Sequence, residues 1–538
     1  MATNPAPRVR RSILDIQRDY ENGNKTELEN LVRAWRGIKA LDPADLNSFF
    51  LIGGYHGEPF RGPGATDGQW WGGYCQHGTV LFPSWHRAYL YRLEEALRSI
   101  PGCGDVTLPF WDECSPESLK GGIPSVLTDT YFQLDGEWID NPLRSFVFPV
   151  DIVDTVVGDD PVYSKPAGYQ TVRYPLSGLV GTDADRAATA AHNAKFQNPA
   201  QNTLLLNANI VAWLTTSLSF PQQTGPNVVN GLVHSKFVRC LDAPNYTLFS
   251  NTTSQRAWNA TRKGTEQVVA LENPHNAIHL AVGGFDVPSV FRASLIPGAN
   301  GDMGENETAG LDPIFFFHHC FIDYTFWIWQ RRNGFTDAFD IDETDPGAVY
   351  NLQNGPSPPA GADLNQPMSL ETPLKPFPST DGERIMITKE TINIETDLGY
   401  TYGPGSLDQY ASKDAAKANL LLGAEPDNSR IVHVAGLNRA KIKGSFAIAA
   451  YAEVDGVQQL VDVDPVLSRW SVEGCANCQS HLEATADFRV PADVAEKVQI
   501  RVHTRGGMLG GEEPDAASVG FVKGVAAPQS QPFTVEIR

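Results

Sequence analysis

Between residues 26 and 41 the apolar side chains Leu28, Leu31, Val32, Trp35 and Ile38 recur three and four positions apart, which predicts one face of a helix. Thr26 and Glu29 have the spacing of a capping box at its start. A second stripe, Tyr89, Leu93, Leu97 and Ile100, predicts a helix over 85–100 that Pro101-Gly102 stops. Pro274 suits the first turn of a third helix over 274–281. A fourth follows Asp312-Pro313: the run from Ile314 to Trp329 is mostly aromatic yet carries His318, His319 and Asp323. It is too short to cross a bilayer cleanly and reads as a buried helix. Segments 53–73 and 297–312 are rich in Gly, Pro, Asn and Asp, and loops of that length suggest functional or tightly packed surface. The Pro/Gly-rich stretch 343–383 reads as a covering loop.

The texture changes near residue 403. A short helix is predicted at 411–422, and Pro426-Asp427-Asn428 gives a turn. Short β-rich runs then dominate: Arg430–Val434, Lys443–Ala449, Gln458–Val463, Val498–His503 and Phe533–Ile537, spaced by turn residues as in a sandwich. The chain therefore divides into a mainly helical domain at 1–403, a linker at 404–428 and a β-sandwich domain at 429–538. Its 538 residues suit two to four units at roughly 100–200 residues each, and no solenoid repeat is visible.

Composition narrows the classes. With 41% apolar and 10% aromatic residues, wholesale disorder is excluded. A net charge of −21 argues against nucleic acid or an anionic membrane as partner. The first residues hold no apolar stretch of secretory length, so a reducing, cytoplasmic setting is expected and the sequons at Asn245 and Asn251 carry no weight. Seven cysteines are too sparse for a disulfide framework.

The chemistry lies in the twelve histidines, six of which form two sets. His56, His77 and His86 lie on and after the Gly-rich segment. His275 and His279 are one turn apart on a helix, and His319 can join them from the aromatic helix. One His-x-x-x-His arises by chance about 0.25 times per such chain, so alone it is weak and two ordinary buried histidines remain an even alternative. Asn276 stands where a zinc protease has its glutamate, which disfavours that chemistry. Carboxylate-free histidine sets suit copper, zinc or nickel and disfavour a di-iron site. Asp323, four residues after His319, is placed to orient that imidazole from behind. Cys475-Ala-Asn-Cys478 is a lone CxxC, either a structural turn or a site for a soft metal such as Cu(I).

Cys75-Gln76-His77, Phe82-Pro83-Ser84-Trp85-His86-Arg87, Pro274-His275-Asn276-x-x-His279-Leu280 and Asp312-Pro313-Ile314-Phe315-Phe316-Phe317-His318-His319-x-x-x-Asp323 resemble the copper motifs of the type 3 copper family of tyrosinases and catechol oxidases. Stretches 51–60, 70–75, 299–305, 467–470 and 474–479 extend the likeness to the long fungal-type pro-forms with a C-terminal domain. The resemblance implies a four-helix-bundle dicopper domain with long loops, followed by a β-sandwich that shields it. His56, His77 and His86 would hold one copper and His275, His279 and His319 the other, the pair binding dioxygen as peroxide. Monophenols would be hydroxylated ortho to their oxygen and o-diphenols oxidised to o-quinones, so the partners expected are dioxygen and small phenols, with a homo-oligomer left open. Cys75 matches a thioether partner of His77, and His318 becomes a packing or outer residue. Asn276 and Glu272, with Glu266 behind, would hold a water acting as base. Leu280 would line the entrance or pack the core. Cys475 and Cys478 match a copper-loading pair, and Val466 or Leu467 would plug the site and leave the chain latent. Cys103, Cys114, Cys240 and Cys320 read as buried thiols. Two relatives of this reading stay open: a catechol or o-aminophenol oxidase without monophenol activity, and a hemocyanin-like dioxygen carrier.

Overall fold

The computed structural model describes residues 6–57, 73–154, 163–219, 231–262, 266–288, 301–349, 367–412, 428–470, 472, 478, 481–505, 507–509 and 533–538. Ser12 caps α1 (Ile13–Glu21) by accepting the Leu14 amide. In α2 (Thr26–Ala40), Thr26 is already helical and Lys25 is the cap, so the expected capping box does not form. The buried stripe of α2, Leu28 to Ile38, is the one the periodicity marks. Ser48 caps the short α3 (Phe49–Gly54), which ends two residues before His56. α4 (Phe82–Arg98) starts three residues earlier than its stripe suggested, because Pro83 fits a first turn whose amides have no helical partner. α5 (Glu272–Gly283) and α6 (Ile314–Asn333) are buried along nearly their whole lengths. Gly334, at φ +74, supplies the left-handed residue that stops α6. Among the described residues no helix is long and apolar enough to cross a membrane.

The first and last parts of the helical core meet. Arg8–Arg10 runs parallel to Tyr400–Tyr402 as a two-stranded ribbon. Residues 404–412, assigned to a linker by sequence, stay on this core: Ser406 donates to Asp112 and Leu407 is fully buried. Most of the helix expected at 411–422 lies outside the described residues. The segment after residue 367 does cover the core, since Trp85 donates to the Lys375 carbonyl at 2.8 Å and Phe377 packs on Trp85 and Tyr89.

The C-terminal domain is rich in strands. β1 (Ser429–Asn438), β2 (Phe446–Val454), β3 (Val457–Val466), β4 (Glu483–Pro491), β5 (Gln499–Thr504), β6 (Gly507–Leu509) and β7 (Thr534–Ile537) form two antiparallel sheets of order β3-β2-β5-β6 and β4-β1-β7. Five match the apolar runs. β4 was missed because its inward positions begin with Ala484 and Ala486, too small to announce a core strand, before Phe488 and Val490. β2 faces two cores at once. Phe446, Ile448, Ala450 and Ala452 join the domain's own cluster, while Ala447, Ala449 and Tyr451 join that of the helical core. The alanines let the sheet lie close against the helices.

Candidate metal centre

Three elements deliver the first histidine set. His56 follows α3, His77 lies on the approach to α4, and His86 projects from the second turn of α4. Their rings lie 5.1–5.7 Å apart between centroids. His56 Nδ1 donates to the Asn306 carbonyl at 3.2 Å and His86 Nδ1 to that of Phe82 at 2.8 Å. Each Nε2 is thereby left as a bare lone pair. The Nε2 atoms of His56 and His86 are buried without a hydrogen-bond partner.

α5 and α6 deliver the second set. His275 and His279 sit one turn apart on α5, and His319 faces them from α6. His319 Nε2 lies 3.2 Å from His275 Nε2 and 3.4 Å from His279 Nε2. The His279 Nδ1 donates to the Met303 carbonyl at 2.7 Å, and His275 Nδ1 to Asn276 Oδ1 at 2.9 Å. His275 and His279, tied at Nδ1, turn their Nε2 lone pairs toward His319 Nε2, a convergence of ring nitrogens that fits a bound metal. Burial pushes all six imidazoles down, His86 to about 3 and His279 to about 4, so every ring is neutral and able to ligate at pH 7. The two sets adjoin: His86 stacks on His319 at 4.3 Å, and His77 lies 5.4 Å from His275.

A cavity of about 30 Å³, room for roughly one water, opens beside His77 of the first set. Cys75, His77, Glu272 and Asn276 line it from the helical core, with Leu467 and Arg469 from the C-terminal domain. Glu272 is fixed by the Gly78 amide at 2.9 Å and the Thr252 amide at 2.8 Å, and burial pushes its carboxyl up. Glu266, its expected companion, has a side chain 68% exposed and lies away from the site. Cys75 is a buried free thiol to which Asn306 donates at 3.6 Å, and burial pushes it up. Cys103, Cys114, Cys240 and Cys320 are buried thiols too. Val466 and Leu467 both line the cavity; Val466 also packs into the C-terminal domain's own core, whereas Leu467 packs into that of the helices. Leu280 is fully buried in the helical core and does not line this cavity.

Two expectations change. Asp323 does not reach His319, whose Nδ1 has no hydrogen-bond partner. Its carboxylate accepts instead from Arg87 at 2.5 Å and from Tyr400 and Tyr402 at 2.6 Å, with Arg10 at 3.5 Å. The buried guanidinium groups of Arg87 and Arg10 outcompete a neutral imidazole for this carboxylate. Cys478 is disulfide-bonded, a form with no thiolate for copper. Cys475 lies outside the described residues. Sequence reasoning also missed Glu113, which holds His318, and the 302–308 segment, whose Met303 and Asn306 carbonyls hold one histidine of each set. Backbone acceptors leave no mark in side-chain pattern. Buried Lys165, paired with Asp302 and Glu305, anchors that segment.

Residues 46–332 match the family model described as the common central domain of tyrosinase. A tyrosinase of Hahella sp. is 50% identical over 93% of this chain and 92% of its own length. A tyrosinase of Aspergillus oryzae is 42% identical over 96% of each chain. Among solved structures, the tyrosinase of Burkholderia thailandensis at low pH superposes with a TM-score of 0.81 at 47% identity, covering 99% of this chain and all of its own. The holo-protyrosinase of Aspergillus oryzae, at 19% identity and a TM-score of 0.60 over 95% and 94% of the two chains, shares the fold.

Proposed function

The chain belongs to the tyrosinase family, and from that premise we propose that its two histidine sets hold two copper ions with which it oxidises phenols at the expense of dioxygen. Monophenols are hydroxylated to o-diphenols, and o-diphenols are oxidised to o-quinones. The observation that carries this reading is the convergence of six neutral imidazoles in two adjacent sets, five of them buried and His77 partly so. When bound, the copper pair supplies the two electrons that reduce dioxygen and the positive charge that receives a phenolate. His56, His77 and His86 hold one ion; His275, His279 and His319 hold the other. The finer architecture follows: α2, α4, α5 and α6 are read as the four-helix bundle around the pair, and the two antiparallel sheets on one shared core as a sandwich.

The remaining residues act on protons and access. A phenol with its ordinary pKa of about 10 is mostly protonated at neutral pH and must lose that proton to bind. Asn276 spends Oδ1 on His275 and has its amide NH₂ left for a water, and Glu272 lines the same one-water cavity. We assign this water the phenol's proton, with the Glu272 carboxylate as its sink. Cys75 lines the cavity beside His77, which suits the thioether to that ring. Copper loading by Cys475 and Cys478 belongs to a reduced chain, since only thiolates bind Cu(I).

Leu467 is the plug in this reading. It leaves its own domain's core for that of the helices and lines the cavity, so a docked C-terminal domain keeps substrate out and the intact chain latent. Leu467→Ala shortens the plug and should raise oxidation of a small catechol by the uncleaved chain about tenfold or more, on the scale of a buried leucine truncation. Catechol turnover indistinguishable from that of the unaltered chain would remove the shielding role.

A further inference from the structure

Behind both histidine sets runs one short stretch of irregular backbone. Met303 and Asn306 lie on it, and their carbonyls accept from His279 at 2.7 Å and from His56 at 3.2 Å, one histidine of each set. Two single turns of 3-10 helix, Asp302–Gly304 and Ala309–Leu311, shape the stretch, so side chains rather than a long backbone ladder must fix it.

Those side chains converge on one ammonium. Lys165 ends the strand Tyr163–Lys165, which pairs with Ile152–Asp154. Its Nζ donates to Asp302 Oδ1 at 2.5 Å and to Thr308 Oγ1 at 3.2 Å, and lies 3.2 Å from Glu305 Oε2. Lys165 and Asp302 are fully buried and Glu305 nearly so. The Tyr169 hydroxyl and the Val172 amide each donate to Asp302 Oδ2 at 2.8 Å, and the Tyr163 hydroxyl donates to Glu305 Oε2 at 2.5 Å. Burial alone would discharge the ammonium, but Asp302 and Glu305 hold its pKa above the ordinary lysine value. A buried ion pair is a poor source of net stability, because desolvation offsets most of the attraction. What this one supplies is a geometry. Asp302, Glu305 and Thr308 bracket Met303 and Asn306 in the chain, so both carbonyls are held between points that the same cation grips. Resting on the dicopper reading of the two sets, we propose that Lys165 is a positioning residue for both sites at once, aiming His279 and His56 through the Met303 and Asn306 carbonyls, so that loosening it weakens both ions together.

The full chain, loaded with copper and challenged with a competing chelator, tests this, with ions per folded chain counted by native mass spectrometry. Lys165→Met, close in length and uncharged, should weaken both ions about tenfold or more, within the range for a lost outer partner of a metal ligand. His279→Ala leaves the first set intact and His56→Ala the second, and adding Lys165→Met should weaken the copper remaining in each. Tyr163→Phe, which removes one donor to Glu305 and no charge, should act in the same direction more weakly, and it carries the test should Lys165→Met not fold. Asp323→Asn, a loss of buried charge elsewhere in the helical core, separates aim from stability: it should lower thermal stability and leave both ions as tightly held as in the unaltered chain. Weakening confined to one of the two histidine backgrounds, or copper retention by Lys165→Met and Tyr163→Phe no lower than that of Asp323→Asn, would overturn the proposal. An unaltered chain that never binds a second copper would instead remove the dicopper reading beneath it.

Discussion

At neutral pH a buried imidazole carries no charge, so what it offers its surroundings is a lone pair whose direction depends on where its other nitrogen is tied. Here His56, His86 and His279 are tied to backbone carbonyls and His275 to Asn276, always through Nδ1. That common pattern turns the Nε2 atoms inward, and it is why the centre can be read from single residues. Asn276 has a second task in this account, because it holds the water that takes the phenol's proton. Asn276→Ala should therefore lower monophenol turnover at pH 7 by about 100-fold, within the range of general-base losses. Raising the pH to 9 supplies roughly 100-fold more phenolate without help, since the phenol's own pKa is about 10. Recovery of most of the lost rate at pH 9 is the expected result, and a deficit that stays constant with pH would assign Asn276 a purely structural role.

Elements differ in how openly the sequence displays them. The stripes of α2 and α4 and the aromatic run of α6 are legible because each buries a face whose spacing matches a helical turn. The six histidines were legible for a related reason, since one helical turn separates His275 from His279. Asp323 misled because spacing alone places it one turn from His319, while its partners come from α4 and from both strands of the Arg8–Arg10 ribbon. It joins α4, α6 and the ends of the helical core. Asp323→Asn would leave the buried Arg87 guanidinium beside a neutral amide and Arg10 with Glu94 as its remaining carboxylate, at a cost of about 3–5 kcal/mol. Thermal unfolding of the metal-free chain should show that loss, while copper bound per folded chain stays the same. A variant as stable as its parent would show that other groups carry those charges.

At the scale of the whole molecule, the C-terminal domain is a lid with its own core and a small-residue face laid on the helices. Lys236 pairs with Asp462 at 3.1 Å, Arg256 faces Asp464 at 3.9 Å, and Glu307 accepts the Trp470 amide at 2.5 Å. Burial at this interface pushes Asp464 up to about 6 and Glu307 up to about 7. Undocked, both return toward ordinary carboxylate values, so the docked form holds protons more tightly. Their contribution to docking is complete below those ordinary values and is lost as pH rises through 6 to 7. Small-angle scattering in mild urea should accordingly find more extended chains at pH 8 than at pH 5. An opened fraction that falls between those two values would reverse the linkage.

The central claim is that two neighbouring three-histidine sets seat two copper ions that work on dioxygen together. Copper per folded chain, measured against dioxygen uptake with a catechol while Leu467→Ala protein is reconstituted from no metal to excess, tests it most directly. Binding should saturate at about two ions, uptake should follow the chains that hold both, and adding His279→Ala should abolish it. Saturation at a single ion, or uptake that survives His279→Ala, would contradict the account.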